Sequence, residues 1–273
     1  MKPQIFDIHQ HLSIADMSLE NDQLHQQIKE DYRKRVKVMD QHNISQAAIM
    51  TLPWYLRPRG IADTRMANNL VAHYRDTYRA RFPAAIGTVE PLHGEKAGLE
   101  EMERMVGELE IAAVQWHHRA QGTWIYDPLT IAFVRKAQAL NIPVLIHIVA
   151  ESTLEDPWGL ELLAEQFPEV QFIALDAFSG RNQAQRLFSV LQRLPNIITE
   201  TGLMYPYNRY ADQFALRFGS ERVVFGSDLN VRSVPWHHPH ALYEIQMSDN
   251  LSMPDKANIL WNNAQRLLRL AQP

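Results

Sequence analysis

The stretch Ile5-Phe6-Asp7-Ile8-His9-Gln10-His11-Leu12 combines a strand-forming pattern with two histidines near the start of the chain. Its apolar and β-branched residues predict a buried β-strand over residues 5–11. Because side chains of a strand alternate with a period of two, we expect Asp7, His9 and His11 to line one face. Two imidazoles side by side on a rigid strand are a recurrent way to hold a divalent metal ion, and Asp7 could orient one of them. The alternative is that both histidines pack as satisfied polar residues.

Seven further short strand patterns follow, and helical patterns such as residues 31–42, 63–81 and 129–140 separate them. The eight predicted strands are 5–11, 46–51, 84–89, 112–116, 144–149, 172–177, 197–201 and 223–227. Strands that alternate with helices pair in parallel through right-handed crossovers. No glycine-rich G-x-G-x-x-G nucleotide motif follows a strand, and 273 residues are a natural length for one barrel. We therefore predict an α/β protein with a (β/α)8 TIM barrel, formed by residues 1–273 as a single domain.

Composition excludes several classes of protein. The net charge of -4 and the lack of a basic run argue against a nucleic-acid partner. The chain has no cysteine, which excludes disulfides, thiolate ligands and a cysteine nucleophile. The apolar stretches are too short to cross a membrane, and the first residues carry no signal-peptide core. We expect a cytoplasmic protein with no membrane partner.

Polar residues at two later strand ends extend the metal hypothesis. Active sites of such barrels lie at the carboxyl ends of the strands. His147 ends the apolar fifth strand, where a histidine is costly unless it is hydrogen-bonded or coordinated. Asp228 ends the eighth strand, which lies beside the first strand once the barrel closes. The predicted ligand set is His9, His11, His147 and Asp228, with room for a water or a substrate. Taken singly, His147 could be a core histidine and Asp228 could cap a loop.

These segments resemble the amidohydrolase superfamily. The resemblance is to its amidohydrolase-related branch, which contains small metal-dependent hydrolases, aminocarboxymuconate-semialdehyde decarboxylase and pyrone-dicarboxylate lactonase. The segments that carry it are the first strand, the fifth strand, the eighth strand and the closing helix, at residues 6–11, 144–147, 224–228 and 259–267. The resemblance implies that His9, His11 and His147 are metal ligands. It implies that Asp228 is a ligand or the acid/base that moves a proton.

Two positions depart from the family pattern. The family usually places a histidine at the end of strand six, where Asp176 stands here, and a bridging lysine at the end of strand four, where this chain has Gln115-Trp116-His117. That histidine is a second ligand in binuclear members and a catalytic group in decarboxylase-like ones. We therefore expect one divalent ion, zinc before manganese, or no metal, as in some lactonase relatives. Asp176 could be a substitute base, hold a substrate hydroxyl or bond the backbone.

Aromatic and basic residues follow strands two and four, where the substrate loops of a barrel lie. The predicted substrate-binding residues are Trp54, Arg57, Arg59, Trp116, His118 and Arg119. Arginine forks suit a carboxylate and aromatic rings stack on a planar ring, so we expect a small, planar, carboxylated or lactone-like substrate. In the alternative interpretation, the arginines pair with Asp63 or Asp127 and the aromatics pack the loops.

The leading hypothesis is a metal-dependent hydrolase of an ester, lactone or amide. In it a divalent ion activates a water, and Asp228 and Asp176 are the catalytic carboxylates. Decarboxylation on the same scaffold, a metal-independent lactonase and a non-catalytic small-molecule-binding protein are the alternatives. By analogy with this branch, a homodimer is a further expectation.

Overall fold

Eight parallel strands form one sheet at the centre of the protein and follow one another in sequence order. The structure is a computed structural model that describes residues 4–12, 14, 21–150, 152–204, 209–230 and 239–270. The strands are β1 (Phe6–His11), β2 (Gln46–Met50), β3 (Ala84–Gly87), β4 (Ala113–Trp116), β5 (Val144–His147), β6 (Phe172–Leu175), β7 (Ile197–Glu200) and β8 (Val223–Val224). Every predicted strand is present, and the predicted TIM-barrel fold is confirmed.

Helices connect successive strands and cover the outside of the barrel. They are α1 (Asn21–Gln41), α2 (Ile61–Thr77), α3 (Glu95–Gly107), α4 (His118–Gln121), α5 (Pro128–Leu140), α6 (Pro157–Gln166), α7 (Arg181–Leu191), α8 (Tyr210–Phe218), α9 (His240–Met247), α10 (Met253–Ala257) and α11 (Asn263–Leu267). Helix α1 begins well before the predicted residue 31. The prediction missed its first part because Leu24 and Ile28 are the only aliphatic residues of segment 21–30, which leaves little apolar periodicity to recognise. None of the helices in the described ranges is long and apolar enough to cross a membrane.

Strand alternation divides the core into an inner and an outer layer. On β5, Leu145 belongs to the inner cluster that fills the barrel, whereas Ile146 packs in the outer cluster between strands and helices. His147 therefore points inward, like Leu145, at the carboxyl end of the strand. The inner cluster supports the polar residues that stand above it.

A bulge in β1 changes the alternation that the sequence predicted there. The register with β2 shifts between Asp7 and Gln10. The Asp7 carboxylate accepts a hydrogen bond from Gln10 Nε2 at 2.7 Å. Its hydrogen bond with His9 comes from the backbone N–H, at 3.1 Å, and not from the ring. The expectation that Asp7 lines up with the histidine rings and orients one of them is wrong, because one extra residue turns the strand.

The barrel closes between β8 and β1. β8 is two residues long, and the backbone contacts across this β8–β1 joint run from Ile8 N to Phe225 O (3.1 Å) and from His11 N to Leu229 O (3.0 Å). The closure places the end of β8 directly beside the two histidines of β1.

Candidate metal centre and active site

Three histidines meet at the carboxyl ends of β1 and β5. His9 and His11 come from β1, His147 ends β5, and all three are buried. The Nε2 atom of His11 lies 3.0 Å from that of His9 and 3.3 Å from that of His147. The structure thus brings together three side chains that the sequence predicted as ligands.

Hydrogen bonds of the opposite ring nitrogens set the direction of these rings. His11 Nδ1 lies 3.0 Å from the carbonyl oxygen of Thr51, and His147 Nδ1 lies 2.9 Å from that of Trp116. Since a carbonyl only accepts, the ring proton is assigned to Nδ1 in both histidines. Each Nε2 then presents a lone pair to the centre, as in a histidine that binds a metal.

Glu200, the last residue of β7, is the corresponding partner of His9. Its Oε2 lies 3.3 Å from His9 Nδ1 and accepts the backbone N–H of Asp176 at 2.9 Å. Burial raises the pKa of Glu200 to about 8, and its Oε1 has no hydrogen-bond partner within the described ranges. The predicted site residues did not include this glutamate, because strand-end polar residues often serve only to hold loops. The available signal was a carboxylate at a strand end, the same test that selected Asp228.

The site fits a divalent cation. Burial, the largest cause, lowers the pKa of all three imidazoles, to about 3 for His9, so each ring is neutral at neutral pH and has one nitrogen with a lone pair for a metal. Asp228 Oδ1 adds a carboxylate oxygen 3.3 Å from His9 Nε2 and 3.6 Å from His11 Nε2. Metal–nitrogen distances of about 2.1 Å put neighbouring ligand atoms roughly 3.0–3.4 Å apart. The spacings of His11 to His9 and His147 and of Asp228 to His9 lie in this range, and that of Asp228 to His11 is slightly longer. The three buried histidines are therefore placed so that they could hold a metal ion, with Asp228 beside them.

Asp176 and Asp228 stand just beyond β6 and β8 in the left-handed backbone region, each with φ of 55°. Aspartate tolerates this region because its short side chain bonds locally. Asp176 Oδ1 accepts the N–H of Leu203 at 3.1 Å and lies 3.9 Å from His9 Nδ1. Burial and the neighbouring Glu200 raise the pKa of Asp176. A pair of carboxyl groups, Asp176 and Glu200, therefore stands behind His9.

Two glycines make room for this carboxyl pair. A Cβ on Gly202 would lie 3.1 Å from both Glu200 Oε2 and His9 Nδ1. A Cβ on Gly226 would lie 2.7 Å from His9 Cβ and even closer to Glu200 Oε1. Any side chain at Gly226 would push Glu200 or His9 out of place.

His117, the residue before helix α4, is a fourth histidine that packs against the site. The ring of His117 stacks on His147 with centroids 4.2 Å apart and an interplanar angle of 6°. His117 Nδ1 contacts the buried carboxylate of Glu155, which also accepts the backbone N–H of Arg119 at 2.9 Å. The sequence predicted His118 as a substrate contact, but His118 is fully buried, and it is His117 that stacks on His147, one of the predicted ligands.

Trp116 was also predicted to bind substrate, and the structure places it in the outer layer. Its Nε1 donates to the carbonyl of Val89 at 2.9 Å, and its ring stacks on Phe133 of α5. Gln115 takes the inward position and donates to the carbonyl of Thr51. Trp116 packs between sheet and helices because it alternates with Gln115.

The two arginines after β2 are already paired. Arg57 Nε donates to the buried carboxylate of Glu90 at 2.6 Å. Arg59 Nε donates to Asp63 at 2.7 Å. This agrees with the alternative in which these arginines hold the loop, and for Arg59 the partner is the aspartate named there.

Arg119 and Trp54 remain open to a ligand. The Arg119 side chain is exposed, and its guanidinium makes no hydrogen bond or ion pair with the residues that the structure describes. Its positive charge opposes the rise in the pKa of Asp176 that burial and Glu200 cause, which places Arg119 within electrostatic reach of the site. Trp54 is 43% exposed.

The sequence profile of a family described as Amidohydrolase matches residues 6–270. The chain belongs to the amidohydrolase family. The family resemblance drawn from four short segments is thereby confirmed. No curated protein matches this amidohydrolase-family sequence.

Solved structures with the same fold match nearly the whole chain. 5-Carboxyvanillate decarboxylase from Novosphingobium aromaticivorans, with bound manganese and 3-methoxy-4-hydroxy-5-nitrobenzoic acid, superposes with a TM-score of 0.73 at 15% identity and 98% coverage of both chains. 4-Oxalomesaconate hydratase from Rhodopseudomonas palustris gives 0.72 at 17% identity, covering 97% of this chain and 96% of its own. Dihydroxybenzoic acid decarboxylase from a Polaromonas species, with bound manganese and the inhibitor 2-nitroresorcinol, gives 0.69 at 16% identity, covering 99% and 98%. At these identities the likeness concerns the fold.

Proposed function

We propose that this amidohydrolase-family protein is a metal-dependent lyase that removes a carboxylate group from a small planar substrate. The observation that carries the proposal is the convergence of three histidine Nε2 atoms with the Asp228 carboxylate, and of a second carboxyl, Asp176, 3.9 Å from His9. A metal site and an adjacent group able to carry a proton are what metal-assisted decarboxylation requires.

Each residue of the site has a role in this reaction. His9, His11, His147 and Asp228 would hold the ion. A bound divalent ion supplies a Lewis acid that stabilises negative charge on the substrate. Asp176 carries a proton on its carboxyl group and donates it to the substrate carbon as the C–C bond breaks. The carboxylate leaves as carbon dioxide, and the carbon gains a hydrogen.

The mouth of the barrel supports an anionic, planar substrate. The guanidinium of Arg119 is suited to bind a substrate carboxylate with two hydrogen bonds. Trp54 offers an aromatic surface to a ring. Both residues belong to the substrate-binding set that the sequence predicted.

The solved relatives support the same class of reaction and suggest the ion. Two of those described above are decarboxylases with manganese and a nitro-substituted aromatic compound bound. We propose manganese as the ion and zinc, which the sequence favoured, as the alternative, since both accept nitrogen and oxygen ligands.

Hydrolysis of an ester, lactone or amide is the second candidate, and the residue at the end of β6 favours it. The family resemblance links a histidine at this position to decarboxylase chemistry. Asp176 and Glu200 instead offer two carboxyl groups near His9, a combination suited to accept a proton from water.

The test uses chelator-treated protein reloaded with Mn²⁺ or Zn²⁺ and a panel of hydroxybenzoates, aryl lactones and esters. A lyase releases carbon dioxide, whereas a hydrolase incorporates one oxygen from ¹⁸O-labelled water into its product. His11→Ala should abolish turnover, and His25→Ala, at an exposed histidine, should not. Turnover that survives both chelation and His11→Ala would indicate a metal-independent lactonase. Binding without turnover by the metal-loaded protein would indicate a non-catalytic binding protein.

A further inference from the structure

The β8–β1 joint separates metal ligands that must keep a fixed distance. His11 ends β1 and Asp228 follows β8, and the last backbone hydrogen bond across the joint runs from His11 N to Leu229 O. β8 is two residues long, whereas β5 pairs with β6 over four residues. A ladder this short leaves the relative position of His11 and Asp228 to other contacts.

Arg35 of α1 supplies such contacts with every donor that it has. Its guanidinium is fully buried beneath the joint. Nε and Nη2 donate to the two oxygens of Asp31, each at 3.0 Å, and Nη1 donates to Gln10 Oε1 at 3.2 Å. The remaining two N–H groups donate to backbone carbonyls, of His11 at 2.8 Å and of Leu229 at 3.2 Å. One rigid, planar group thus binds the backbone on both sides of the joint.

Asp31 fixes the plane of this guanidinium. It binds Arg35 with both oxygens and also accepts a hydrogen bond from the hydroxyl of Tyr74 at 2.9 Å. Tyr74 is itself fully buried in α2. The guanidinium is therefore held from two helices and cannot tilt without breaking several buried hydrogen bonds.

A second route connects the same arginine to the segment before Asp228. Gln10, which accepts from Arg35, donates through Nε2 to Asp7 at 2.7 Å. Asp7 in turn accepts both the backbone N–H (2.9 Å) and the hydroxyl (2.5 Å) of Ser227. The network therefore binds β1 and the segment around Asp228 on both sides of that residue.

We propose that Arg35 is a positioning residue that holds His11 and Asp228 at metal-binding distance across the β8–β1 joint, with Asp31 and Tyr74 fixing its orientation. The inference rests on the metal site of the proposed function but on neither candidate reaction. It requires only that the protein binds a divalent ion.

The experiment compares Arg35→Lys with Arg222→Lys. Lysine keeps the charge but loses the planar fork. Arg222 is the matched control, because it donates to the carbonyls of Leu191, Leu194 and Ile197 before β8, away from the ligands. Affinity for Mn²⁺ and Zn²⁺ is measured by competition with a chromophoric chelator, and the visible spectrum of the Co²⁺-loaded protein reports coordination. Urea unfolding of the metal-free proteins gives their stability.

We expect Arg35→Lys to bind metal about 10- to 100-fold more weakly and to change the Co²⁺ spectrum, as loss of a group that orients ligands does elsewhere. Arg222→Lys should lose stability but keep the wild-type metal affinity and the wild-type Co²⁺ spectrum. Wild-type affinity in Arg35→Lys, or equal losses in both variants, would overturn the proposal. If Arg35→Lys does not fold, Tyr74→Phe, which removes one hydroxyl, should still weaken metal binding, and wild-type affinity there would overturn it. A wild-type protein that binds none of these ions would instead refute the metal site itself.

Discussion

His118 gives the most direct measure of how burial governs the histidines of this barrel. Its side chain is fully buried, with Nδ1 3.3 Å from Thr123 Oγ1 and Nε2 without a hydrogen-bond partner in the described part of the chain. Burial, and then the neighbouring His117, lowers the pKa of His118 to about 3. An unfolded chain has a histidine pKa of about 6.5. The stability that the neutral ring contributes is therefore present above pH 6.5 and is lost as the pH falls towards 3.

The perturbation is His118→Gln, which removes the titrating group. At about 1.4 kcal/mol per pH unit, the pKa difference lowers the free energy of unfolding of the wild type by about 2 kcal/mol at pH 5 and by close to nothing at pH 7. We expect the difference in unfolding free energy between variant and wild type to change by about this amount between the two pH values. Urea unfolding of the metal-free proteins measures it, and His73→Gln, at an exposed histidine, is the control.

Two results would refute this reasoning. Equal pH dependence in His118→Gln and the wild type would mean that the buried ring is not held neutral. A raised KM in His118→Gln, with wild-type stability at both pH values, would restore the substrate-binding role that the sequence predicted.

Three other substitutions test the site. Glu200→Gln should weaken Mn²⁺ binding about 10-fold or more in chelator competition above pH 8, where Glu200 is ionised, because an amide accepts more weakly than a carboxylate from the His9 ring; unchanged affinity there would contradict the assigned contact. Asp228→Asn should lose metal binding and turnover but raise the thermal midpoint of the metal-free protein, since burial and neighbouring carboxylates raise the pKa of Asp228; a lowered midpoint in calorimetry would contradict this. Gly226→Ala should cost about 1–3 kcal/mol in urea unfolding and reduce metal affinity, because its Cβ meets Glu200 and His9; wild-type values would show that the pocket can relax.

The sequence predicted the barrel because its signals are local. Each strand is a short apolar run that ends in polar residues, and the first, fifth and eighth strands ended in the residues that the structure brings together. Strand ends such as residues 147 and 228 share one rim in any barrel of this order. Their grouping therefore followed from counting strands alone.

The contacts that sequence reasoning missed are not local. His9 meets Glu200 across 191 residues, and Arg35 reaches Leu229 across 194. The bulge that separates Asp7 from the histidine rings is a single extra residue, which period-two counting cannot detect. The choice between Trp116 and Gln115 as the inward side chain depended on register. The homodimer stays a prediction.

The β8–β1 joint also bears on how the chain reaches its final form. His11 and Asp228 come from opposite ends of the sequence, and bringing them together closes a loop of roughly 220 residues at an entropic cost of about 5 kcal/mol. Because this entropy must be overcome before the contacts stabilise the chain, long-range contacts of this kind slow folding. An ion bound by both residues would act as a removable cross-link between the first and last strands. Loss of the ion would then speed the opening of the barrel between β8 and β1.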